Sequence, residues 1–484
     1  MKNTELLRKI VASKISVLGL GVSNKGLVEF LLRHGASDIT VHDKKPYTEL
    51  GSEAREFFDK GVKFIDGDDY LLGIDGEYIF RTPGIRDDVE GIVKAVENGG
   101  VLTSEMELFY ELTPATIIAI TGSDGKTTTT TLTSLILNEE LSKKGDAKVY
   151  LGGNIGTPLL PMVEEMTFKD FCVVELSSFQ LKTMKKSPMR AAITNITPNH
   201  LDWHADMNEY IDAKLNICRG NELERLVTNR DCETTADLVK AFEKPVTLVS
   251  SSRDNFLEIS EEGHGKKAIF ERDGEIIISD GTLERVMLKT SDIRLVGRHN
   301  VENYMTAIAL LDGLVSFDSI RNVAREFGGV EHRLEFVREL DGVKYYNSSI
   351  DTSPTRTEAA LSAFDDKVIV ICGGYDKHIP FTHLGDVLCR KAKAVVLTGA
   401  TRYAILSAIK DSPYYSDSGI VIHLSERFYD AVESAKEKAS VGDTVILSPA
   451  CASFDEFRNF EERGDIFKNI INSMSEDKKE EANA

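Results

Sequence analysis

Short apolar runs rich in β-branched residues recur along the chain and alternate with segments of helical periodicity. They lie at 14–18, 38–41, 62–66, 78–81, 101–104, 115–120, 171–174, 191–196, 344–346, 368–372, 394–397 and 444–447. Two further runs, at 246–250 and 267–278, lie among Gly and Asp turns and predict a hairpin-rich part. Strands that alternate with helices favour parallel sheets covered by helices. The pattern predicts an α/β protein with three domains, at 1–104, 105–329 and 330–484.

A glycine loop follows the run at 115–120 and leads into a helical pattern at 129–141. Glycines let the backbone approach an anion, and a helix N-terminus adds partial positive charge. In such a loop Lys126 reaches terminal phosphates and the Thr127 hydroxyl binds Mg²⁺. The usual nucleotide loop has four residues between its first glycine and Gly-Lys-Thr, whereas only Ser123 and Asp124 stand there here. A glycine turn with a surface lysine is the alternative.

A second glycine loop, at 19–26, lies between the first predicted strand and a predicted helix at 27–34. This is the start expected of a nucleotide-binding βαβ unit, in which an acidic residue after the second strand binds a ribose hydroxyl. Asp43 holds that place, and the two lysines that follow it suit a diphosphate or a phosphate. Asn24 stands where the dinucleotide fingerprint has its third glycine, so NAD is one open candidate among phosphate-bearing ligands.

Candidate metal ligands follow two of the predicted core strands. Glu175 ends the run at 171–174, where a carboxylate beside a phosphate loop suits Mg²⁺. Its alternative role is to cap the next helix. His200, Trp203 and His204 cluster after the run at 191–196, close to Asp202. Zinc is conceivable there, although no cysteine or acidic partner has the usual structural spacing.

Two further segments carry polar residues on helical patterns. Lys214 shares a helix face with Tyr210 and Ile217, so it either points inward or extends along the surface to solvent. Asn300 and Asn303 lie one turn apart at the start of a long predicted helix. They either face a nucleotide or cap the helix.

The carboxyl-terminal part of the chain repeats the α/β pattern after a predicted linker at 328–335. Three loops at predicted strand ends, 347–356, 373–377 and 448–455, are dense in polar and charged residues. Ligands of open parallel sheets bind at such strand ends. The charged tail at 475–484 is predicted to be disordered.

The composition of the chain limits the kinds of partner that it is expected to bind. The net charge of −20 over 484 residues argues against general binding to nucleic acid or anionic membranes, so positive groups must be concentrated at any anionic site. The six cysteines are widely spaced without a Cys-x-x-Cys pair, which favours reduced thiols in a cytoplasmic protein. No apolar run is long enough to span a bilayer.

Taken together, the motifs resemble those of the Mur ligases, in the same order and over nearly the whole chain. They lie at 121–129, 152–156, 175–181, 199–204, 299–303, 332–333 and 447–467. Within that family, Glu-Leu-Ser-Ser-Phe-Gln-Leu at 175–181, Ser-Pro-Ala-Cys-Ala-Ser-Phe-Asp-Glu-Phe at 448–457 and Phe-Glu-Glu-Arg-Gly at 460–464 are most similar to members that add D-glutamate to UDP-N-acetylmuramoyl-L-alanine.

The resemblance implies a Rossmann-like domain for the UDP substrate, a central P-loop ATPase domain with a mostly parallel sheet, and a Rossmann-like domain for the amino acid. It implies ATP and Mg²⁺ as cofactors, an acyl-phosphate intermediate, and a monomer that acts in cytoplasmic peptidoglycan precursor synthesis without binding nucleic acid or inserting into membranes.

The resemblance also implies a role for each matching residue. The UDP substrate is held by Val22, Ser23, Asp43, Lys44, Lys45, Gly84 and Asn154. ATP is held by Gly122, Ser123, Asp124, Gly125, Lys126, Thr127, Thr128, Asn300, Asn303 and Arg333. Metal ligands are Thr127, Glu175, His200 and a carboxylated Lys214, and the catalytic residues are Lys126, His200, Lys214 and Arg333. D-glutamate is surrounded by Thr352, Lys377, Ser453 and Phe460.

Three positions depart from the family pattern. Ser348 stands where an ATP-contacting Asp is often found, Asp351 replaces an Ala, and Asn199 replaces a frequent Asp before His200. The roles of Ser348 and Asp351 are therefore left open.

The sequence leaves four alternatives to this activity. Sibling Mur ligases and folylpolyglutamate-type ligases share the ATPase core, but the latter should lack a UDP-type first domain. An NAD oxidoreductase requires the first glycine loop to bind NAD. A nucleotide-binding module without catalysis is disfavoured because Lys126, Glu175 and His200 are all present.

Overall fold

The computed structural model describes residues 1–143, 145–239, 246–250 and 265–475. Most of the predicted tail, from 476 on, lies outside them. The chain divides into two compact units. The first comprises Met1–Asp292 and Val301–Val323, and the second comprises Ile293–Asn300 and the chain from Ala324 on. Within the described residues, the first unit holds two sheets and the second holds one, and most strand pairs are parallel. The predicted α/β class is confirmed.

The first sheet is parallel throughout. Its strands are β1 (Ile15–Leu18), β2 (Ile39–His42), β3 (Lys63–Ile65), β4 (Tyr78–Arg81) and β5 (Val101–Thr103). The helices of this segment are α1 (Thr4–Val11), α2 (Val22–Arg33), α3 (Ser52–Asp59) and α4 (Glu90–Glu97). The strand order is β3-β2-β1-β4-β5, so the direction of winding reverses beside β1. A crevice for ligands is expected there, at the carboxyl ends of β1 and β4.

The structure corrects the prediction that a helix begins at 27. Helix α2 begins at Val22, directly after Gly21, so the second half of the predicted loop is helical. The Asn24 side chain donates to the carbonyls of Leu18, at 3.3 Å, and Gly19, at 2.7 Å. An amide side chain that bonds the preceding loop thus occupies the place of the third glycine.

The second sheet is mostly parallel with an antiparallel end. Its strands are β6 (Thr116–Thr121), β7 (Val149–Gly153), β8 (Phe171–Glu175), β9 (Arg190–Ile193), β10 (Arg225–Asn229), β11 (Val246–Ser250), β12 (Gly265–Arg272), β13 (Glu275–Ser279) and β14 (Glu284–Lys289). The helices are α5 (Glu105–Leu112), α6 (Lys126–Ser142), α7 (Ser178–Leu181), α8 (Met207–Arg219), α9 (Glu233–Val239), α10 (Arg298–Leu311) and α11 (Phe317–Glu326). Strand β6 lies between β8 and β9, which brings the ends of all three strands to one edge.

The hairpin predicted within 267–278 is present as β12 and β13, which are antiparallel. Strands β7, β10 and β14 were not predicted. Their segments are short and mix apolar with polar residues, so they lack the continuous apolar run that marks a buried strand.

One apolar core extends from the first sheet into the second. It includes Phe30 and Val41 from the first sheet's layers, Phe109 from α5, and Val174 and Ile193 from the second sheet. The two sheets therefore pack within the same unit, and loops at their edges contact each other directly.

The third sheet belongs to the second unit. Its strands are β15 (Glu335–Leu340), β16 (Val343–Asn347), β17 (Val368–Gly373), β18 (Ala392–Thr398), β19 (Val421–Leu424) and β20 (Thr444–Leu447). The order is β15-β16-β20-β17-β18-β19, and only β15 is antiparallel to its neighbour among the described strands. The helices are α12 (Pro354–Ser362), α13 (Thr382–Lys391), α14 (Arg402–Lys410), α15 (Tyr415–Ser418), α16 (Phe428–Glu437) and α17 (Phe460–Ser473).

Neither edge strand of this sheet was predicted from the sequence. The predicted linker at 328–335 runs directly into β15, and β19 was not expected at all. Edge strands expose part of their surface, so the alternation of apolar and polar residues in β15 and β19 is weak. None of the helices in the described part of the chain is long and apolar enough to cross a membrane.

Candidate active site

The glycine loop lies between β6 and α6, as predicted, but α6 begins at Lys126 rather than at 129. Gly122 has φ 149° and Gly125 has φ 77°, a region that favours glycine. A Cβ on Gly122 would lie 1.9 Å from Thr194 Oγ1, and one on Gly125 would lie 2.5 Å from Asn303 Oδ1. No side chain of the described residues caps α6, so its N-terminus is suited to an anion.

The loop is held in place from the end of β9. Ser123 Oγ donates to the Thr197 carbonyl and accepts from the Thr197 amide, both at 2.9 Å. The Asp124 amide donates to Asn195 Oδ1, at 2.9 Å, and Thr194 Oγ1 donates to the Asp124 carbonyl, at 2.6 Å. The shape of the loop therefore depends on the segment that leads to His200.

Two lysines meet at the Gly122 carbonyl. Lys126 Nζ donates to the carbonyls of Gly122, at 2.9 Å, and Ser123, at 2.8 Å. Lys214 Nζ donates to the same Gly122 oxygen, at 2.7 Å. Of the two orientations left open for Lys214, the inward one is present, and the residue sits against the phosphate loop.

The surroundings of Lys214 change its acid–base chemistry. Its side chain is 1% exposed and lies over the Tyr210 ring, 4.7 Å from the centroid. Burial, reinforced by the charge of Lys126, lowers the pKa of Lys214 to about 6. At neutral pH the amine is therefore mostly uncharged, which makes it a nucleophile for CO₂ and removes its repulsion of a metal cation.

Glu175 closes β8 beside the loop. It is buried, and its Oε1 accepts from Asn154 Nδ2 at 2.9 Å. Its Oε2 is also buried and has no hydrogen-bond partner among the described residues. An unpaired buried carboxylate oxygen costs folding free energy unless another group binds it, so Glu175 is suited to bind a cation. The alternative that it caps the next helix is not realised, because Ser177 caps α7.

His200 lies in the loop after β9, with φ 54°. Its ring is edge-on to Phe179, with centroids 5.0 Å apart. Desolvation lowers the pKa of His200, and the charge of Lys126 lowers it further. A neutral imidazole is the form that binds metal ions. That Glu175 and His200 hold Mg²⁺ with the Thr127 hydroxyl and a carboxylated Lys214 stays a prediction.

His204, in contrast, is a structural residue. It is buried, with Nε2 2.9 Å from Ser178 Oγ and Nδ1 3.4 Å from Glu209 Oε2. Desolvation lowers the pKa of His204, so the ring is neutral. The sequence could not separate it from His200, because both follow the same strand.

The two asparagines of α10 have different surroundings. Asn303, in the first unit, accepts from Thr129 Oγ1 at 3.2 Å and lies against Gly125. Asn300, in the second unit, donates to the Val296 carbonyl at 2.7 Å. Asn303 thus borders the phosphate loop, and the predicted contact of both residues with a nucleotide stays a prediction.

Most residues predicted for the UDP substrate lie at one edge of the first sheet. Val22 and Ser23 open α2 after β1, Asp43, Lys44 and Lys45 follow β2, and Gly84 follows β4. Gly21 provides no side-chain cap for α2, and the Val22 side chain is 75% exposed. An uncapped helix start with an exposed apolar residue suits a diphosphate joined to an organic group.

Two of these residues also have roles in holding the site together. Asp43 accepts from the amides of Leu20, at 2.8 Å, and Lys45, at 3.0 Å, and so fixes the first glycine loop. Asn154 follows β7 of the second sheet and orients the Glu175 carboxylate. Their contacts with a UDP substrate remain predictions.

The residues predicted for D-glutamate lie at the carboxyl edge of the third sheet. Thr352 follows β16, Lys377 follows β17 and Ser453 follows β20, and these strands are neighbours. Lys377 Nζ donates to the Thr352 carbonyl at 3.4 Å. Phe460 opens α17, and its carbonyl accepts from Ser349 Oγ at 2.8 Å. Arg333 lies in the same unit, and its charge partly opposes the rise that burial causes in the pKa of Asp351.

Arg463 organises this edge and was not predicted. It is 2% exposed and donates to the carbonyls of Ser349, at 2.9 Å, Cys451, at 3.1 Å, and Ala452, at 3.2 Å. It therefore ties the loop after β16 to the loop after β20. Its signal in the sequence is its place in the Phe-Glu-Glu-Arg-Gly motif at 460–464.

The two departures in the loop after β16 have a structural explanation. Ser348 Oγ accepts from the Leu334 amide at 3.2 Å, and Asp351 Oδ2 accepts from Ser448 Oγ at 2.8 Å. Burial raises the pKa of Asp351 to about 6. Both side chains bond other loops of the third domain, which accounts for polar residues at these buried places.

Three domain families match successive parts of the chain. The MurD N-terminal domain matches residues 14–90, the Mur ligase middle domain matches 120–311, and the Mur ligase, glutamate ligase domain matches 332–451.

Similar proteins span almost the same length. One from Acetivibrio thermocellus is 47% identical, over 98% of this chain and 99% of its own. Others from Clostridium novyi and Clostridium perfringens are 46% and 43% identical and cover 95% and 96% of this chain. All three are named UDP-N-acetylmuramoylalanine–D-glutamate ligase.

Solved structures share the fold at lower identity. A UDP-N-acetylmuramate-alanine ligase from Thermotoga maritima superposes with a TM-score of 0.54 and 18% identity, over 95% of this chain and 99% of that one. A pseudomurein peptide ligase type C from Methanothermus fervidus gives 0.52 and 16%, over 96% of this chain and 100% of that one.

Proposed function

Because the chain belongs to the Mur ligase family, we propose that it is the ATP-dependent ligase that joins D-glutamate to UDP-N-acetylmuramoyl-L-alanine. The observation that carries this proposal is the identity of 47% over 98% of the chain to a relative of that name. The match to the MurD N-terminal domain favours this substrate over those of sibling ligases, and it disfavours a folylpolyglutamate-type ligase.

The reaction needs activation because a carboxylate and an ammonium do not condense at useful rates. The L-alanyl carboxylate attacks the γ-phosphorus of ATP, so a C–O–P bond forms and ADP leaves. The amine of D-glutamate, after losing a proton, attacks the acyl carbon. The tetrahedral intermediate then expels inorganic phosphate, and the amide remains.

Lys126 and the amino end of α6 are assigned to the phosphates of ATP. A carboxylate that approaches a triphosphate is repelled strongly in a site of low dielectric constant. A fixed ammonium and oriented amides offset that repulsion and stabilise the oxygens of the transferring group. The hydrogen bonds that hold Gly122–Gly125 to the end of β9 keep these donors in position.

Two Mg²⁺ ions are expected to share this site. Thr127 and Glu175 would hold the first, and His200 and the carboxylated Lys214 would hold the second. The ions supply charge neutralisation to the phosphate oxygens when bound. The unpaired Glu175 Oε2 and the lowered pKa values of His200 and Lys214 support this assignment.

Each substrate is assigned to a different sheet. The first domain, 1–104, would bind the UDP moiety, the central domain, 105–329, would bind ATP, and the third, 330–484, would bind D-glutamate. Asn300, Asn303 and Arg333 would contact the nucleotide. We further propose that the enzyme is a cytoplasmic monomer, because its substrates are small cytoplasmic metabolites and one chain carries all three domains.

The proposal is tested by measuring phosphate release and product mass with a panel of substrates. UDP-N-acetylmuramoyl-L-alanine, UDP-N-acetylmuramate and a folate acceptor are each combined with D-glutamate, L-glutamate, L-alanine or a diamino acid. Product is expected only from UDP-N-acetylmuramoyl-L-alanine with D-glutamate, and only with ATP and Mg²⁺. Efficient use of another pair would reassign the substrate.

A further inference from the structure

A cluster of ion pairs joins the loop after β4 to the start of α8. Arg86 contacts Glu209 through two nitrogens, with Nη2–Oε1 at 3.0 Å and Nη1–Oε2 at 3.2 Å. Lys182 contacts the same carboxylate and also pairs with Asp87, at 3.4 Å. The side chains of Arg86, Glu209 and Lys182 are 25%, 22% and 15% exposed, so the cluster is largely shielded from water.

The second link between these segments involves the only tryptophan. Trp203 Nε1 donates to the Gly84 carbonyl at 3.0 Å, and Arg86 donates to the Trp203 carbonyl. The Arg86 guanidinium also stacks over the indole, 5.1 Å from its centroid. The loop after β4 therefore contacts the backbone and the ring of Trp203 at once.

The carboxylate of Glu209 is the centre of this arrangement. Besides Arg86 and Lys182, it accepts from the Ala205 amide at 2.7 Å. Hydrogen bonds from Arg86 and the charge of Lys182 hold the pKa of Glu209 well below its ordinary value. Glu209 stays ionised over the physiological range. Its two oxygens fix the direction of the Arg86 fork together with Asp88, which accepts from Arg86 Nη2 at 2.6 Å and Nε at 2.9 Å.

The positions of these residues in the chain show which segments the cluster connects. Arg86 lies two residues after Gly84, in the proposed UDP-substrate loop. Trp203 lies three residues after His200, and Glu209 lies five residues before Lys214 on α8. The ion pairs thus link the loop of one substrate to both ends of the segment that carries the proposed metal ligands.

We infer that Arg86, Glu209 and Lys182 are positioning residues that set the distance between the UDP-substrate loop at Gly84 and the metal-binding segment 200–214. They bring the substrate carboxylate to the γ-phosphate. The inference rests on the proposed function. A bidentate pair imposes direction as well as attraction, and a displacement of about 1 Å in such a site costs roughly 100-fold in rate.

The test compares Glu209→Gln and Arg86→Lys with the wild-type enzyme. Glu209→Gln keeps the size of the side chain and removes its charge, and Arg86→Lys keeps the charge and removes the fork. Both should lower kcat roughly 10- to 100-fold. The KM for the UDP substrate should rise, and the KM for D-glutamate should stay within about twofold, because that site lies on the third sheet.

The fluorescence emission of Trp203 provides a measurement that does not depend on turnover. In the wild type, adding UDP-N-acetylmuramoyl-L-alanine should shift its emission, since its indole N–H bonds the substrate loop. The shift should be lost or reduced in Glu209→Gln. The emission responses to UDP and to ATP with Mg²⁺ are recorded separately, because they can be measured even if the wild type forms no product. A wild type that forms no product would contradict the proposed function and not the inference drawn here.

Glu284→Gln is the matched control. Glu284 pairs with Arg272 at 2.7 Å, and both side chains are 34% exposed, but the pair lies on the β12–β14 hairpins. The control should leave kcat and Trp203 emission unchanged. The inference is overturned if both cluster variants keep kcat and the emission shift within about twofold of wild type. It is equally overturned if their loss of activity only follows the unfolded fraction seen by circular dichroism.

Discussion

The Gly122 carbonyl oxygen accepts hydrogen bonds from two lysines, and these lysines have different chemistry. Lys126 stands at the start of α6 and is partly accessible, whereas Lys214 is 1% exposed. We propose that the burial that lowers the pKa of Lys214 also prepares it for carboxylation. Two residues of one type are thus proposed to act as a cation and as a nucleophile, because their environments differ.

Lys126→Ala should reduce phosphate release roughly 100-fold or more, because the variant loses the ammonium that stabilises charge on the transferring phosphoryl group. The measurement is coupled release of ADP and phosphate at saturating substrates. Lys169→Ala, which removes a surface ion pair with Asp146, is the control and should retain full turnover. Turnover of Lys126→Ala within about tenfold of wild type would exclude the loop lysine from the mechanism.

Lys214→Ala should be inactive, since the second Mg²⁺ would lack the carbamate oxygens. Lys214→Arg should fail as well, because the site needs oxygen ligands and not a positive charge. Millimolar acetate should partly restore phosphate release in Lys214→Ala by supplying a carboxylate, and methylamine should not. Rescue by methylamine, or an active Lys214→Arg enzyme, would show that the lysine acts as a cation.

At the scale of elements, the strand–loop–helix unit around Gly122 depends on the neighbouring strand β9. The positive φ of Gly122 and the approach of Thr194 leave no room for a side chain. Strand β9 thereby shapes the phosphate loop before any ligand binds.

Gly122→Ala should abolish ATP binding, measured by calorimetry, because its Cβ would meet Thr194 Oγ1 at 1.9 Å and displace the loop. The control is Gly61→Ala, where φ is also positive, at 92°, but nothing lies within 4 Å of the new Cβ. That variant should lose about 1 kcal/mol of stability and keep its ATP affinity. Equal ATP affinity in both variants would contradict the steric argument.

Helix α5 carries a buried acid near its start. Glu105 is 4% exposed, its Oε1 accepts from the Leu160 amide at 3.4 Å, and burial raises its pKa to about 7. Between its ordinary value of 4.5 and about 7, the folded protein holds a proton that the unfolded chain has released. The contribution of Glu105 to stability is therefore present below about pH 4.5 and is lost as the pH rises through 7.

Glu105→Gln should for that reason gain stability relative to wild type as the pH is raised from 5 to 8, by on the order of 1–3 kcal/mol. Urea unfolding at several pH values provides the measurement. The exposed Glu97→Gln serves as control and should follow the wild-type profile. A constant difference between Glu105→Gln and wild type over this range would mean that Glu105 is ionised in the folded state at pH 5.

At the scale of the whole molecule, we propose that each substrate binds at its own sheet edge. The first sheet presents Lys44 and Lys45 after β2, and the third presents Lys377 after β17. Because these lysines lie in different units, their effects on affinity should be separable.

The double variant Lys44→Ala/Lys45→Ala should raise the KM for the UDP substrate severalfold and leave those for ATP and D-glutamate nearly unchanged, because the lost attraction is to the diphosphate. Lys377→Ala should show the reverse selectivity, with a raised KM for D-glutamate, whose γ-carboxylate it is expected to bind. Each variant is the control for the other. An ATP-specific defect in either one would mean that its domain is misassigned.

Much of the fold was predictable because strands, glycine loops and helix starts depend on residues that are close together in the sequence. The run before Gly122 predicted β6, and the loop predicted the start of a helix, although placed three residues late. The first glycine loop was misjudged, since nothing local shows that Asn24 bonds the carbonyls of Leu18 and Gly19. Edge strands β15 and β19 were missed because their burial pattern is mixed.

The sequence by itself determined the alternation of strands and helices in most of the chain, the position of the phosphate loop and the family of the chain. These depend on residues within a few positions of one another or on motifs kept in order. The tertiary structure decided which groups are buried, paired or left unpaired. It leaves Glu175 Oε2 unpaired among the described residues and lowers the pKa of the buried Lys214. It also brings Arg463 to the Ser349 carbonyl and Arg86 to Glu209, which is 123 positions away in the chain. Desolvation and pairing are set by neighbours in space, so the acid–base state of the site could be known only once distant segments had been brought together.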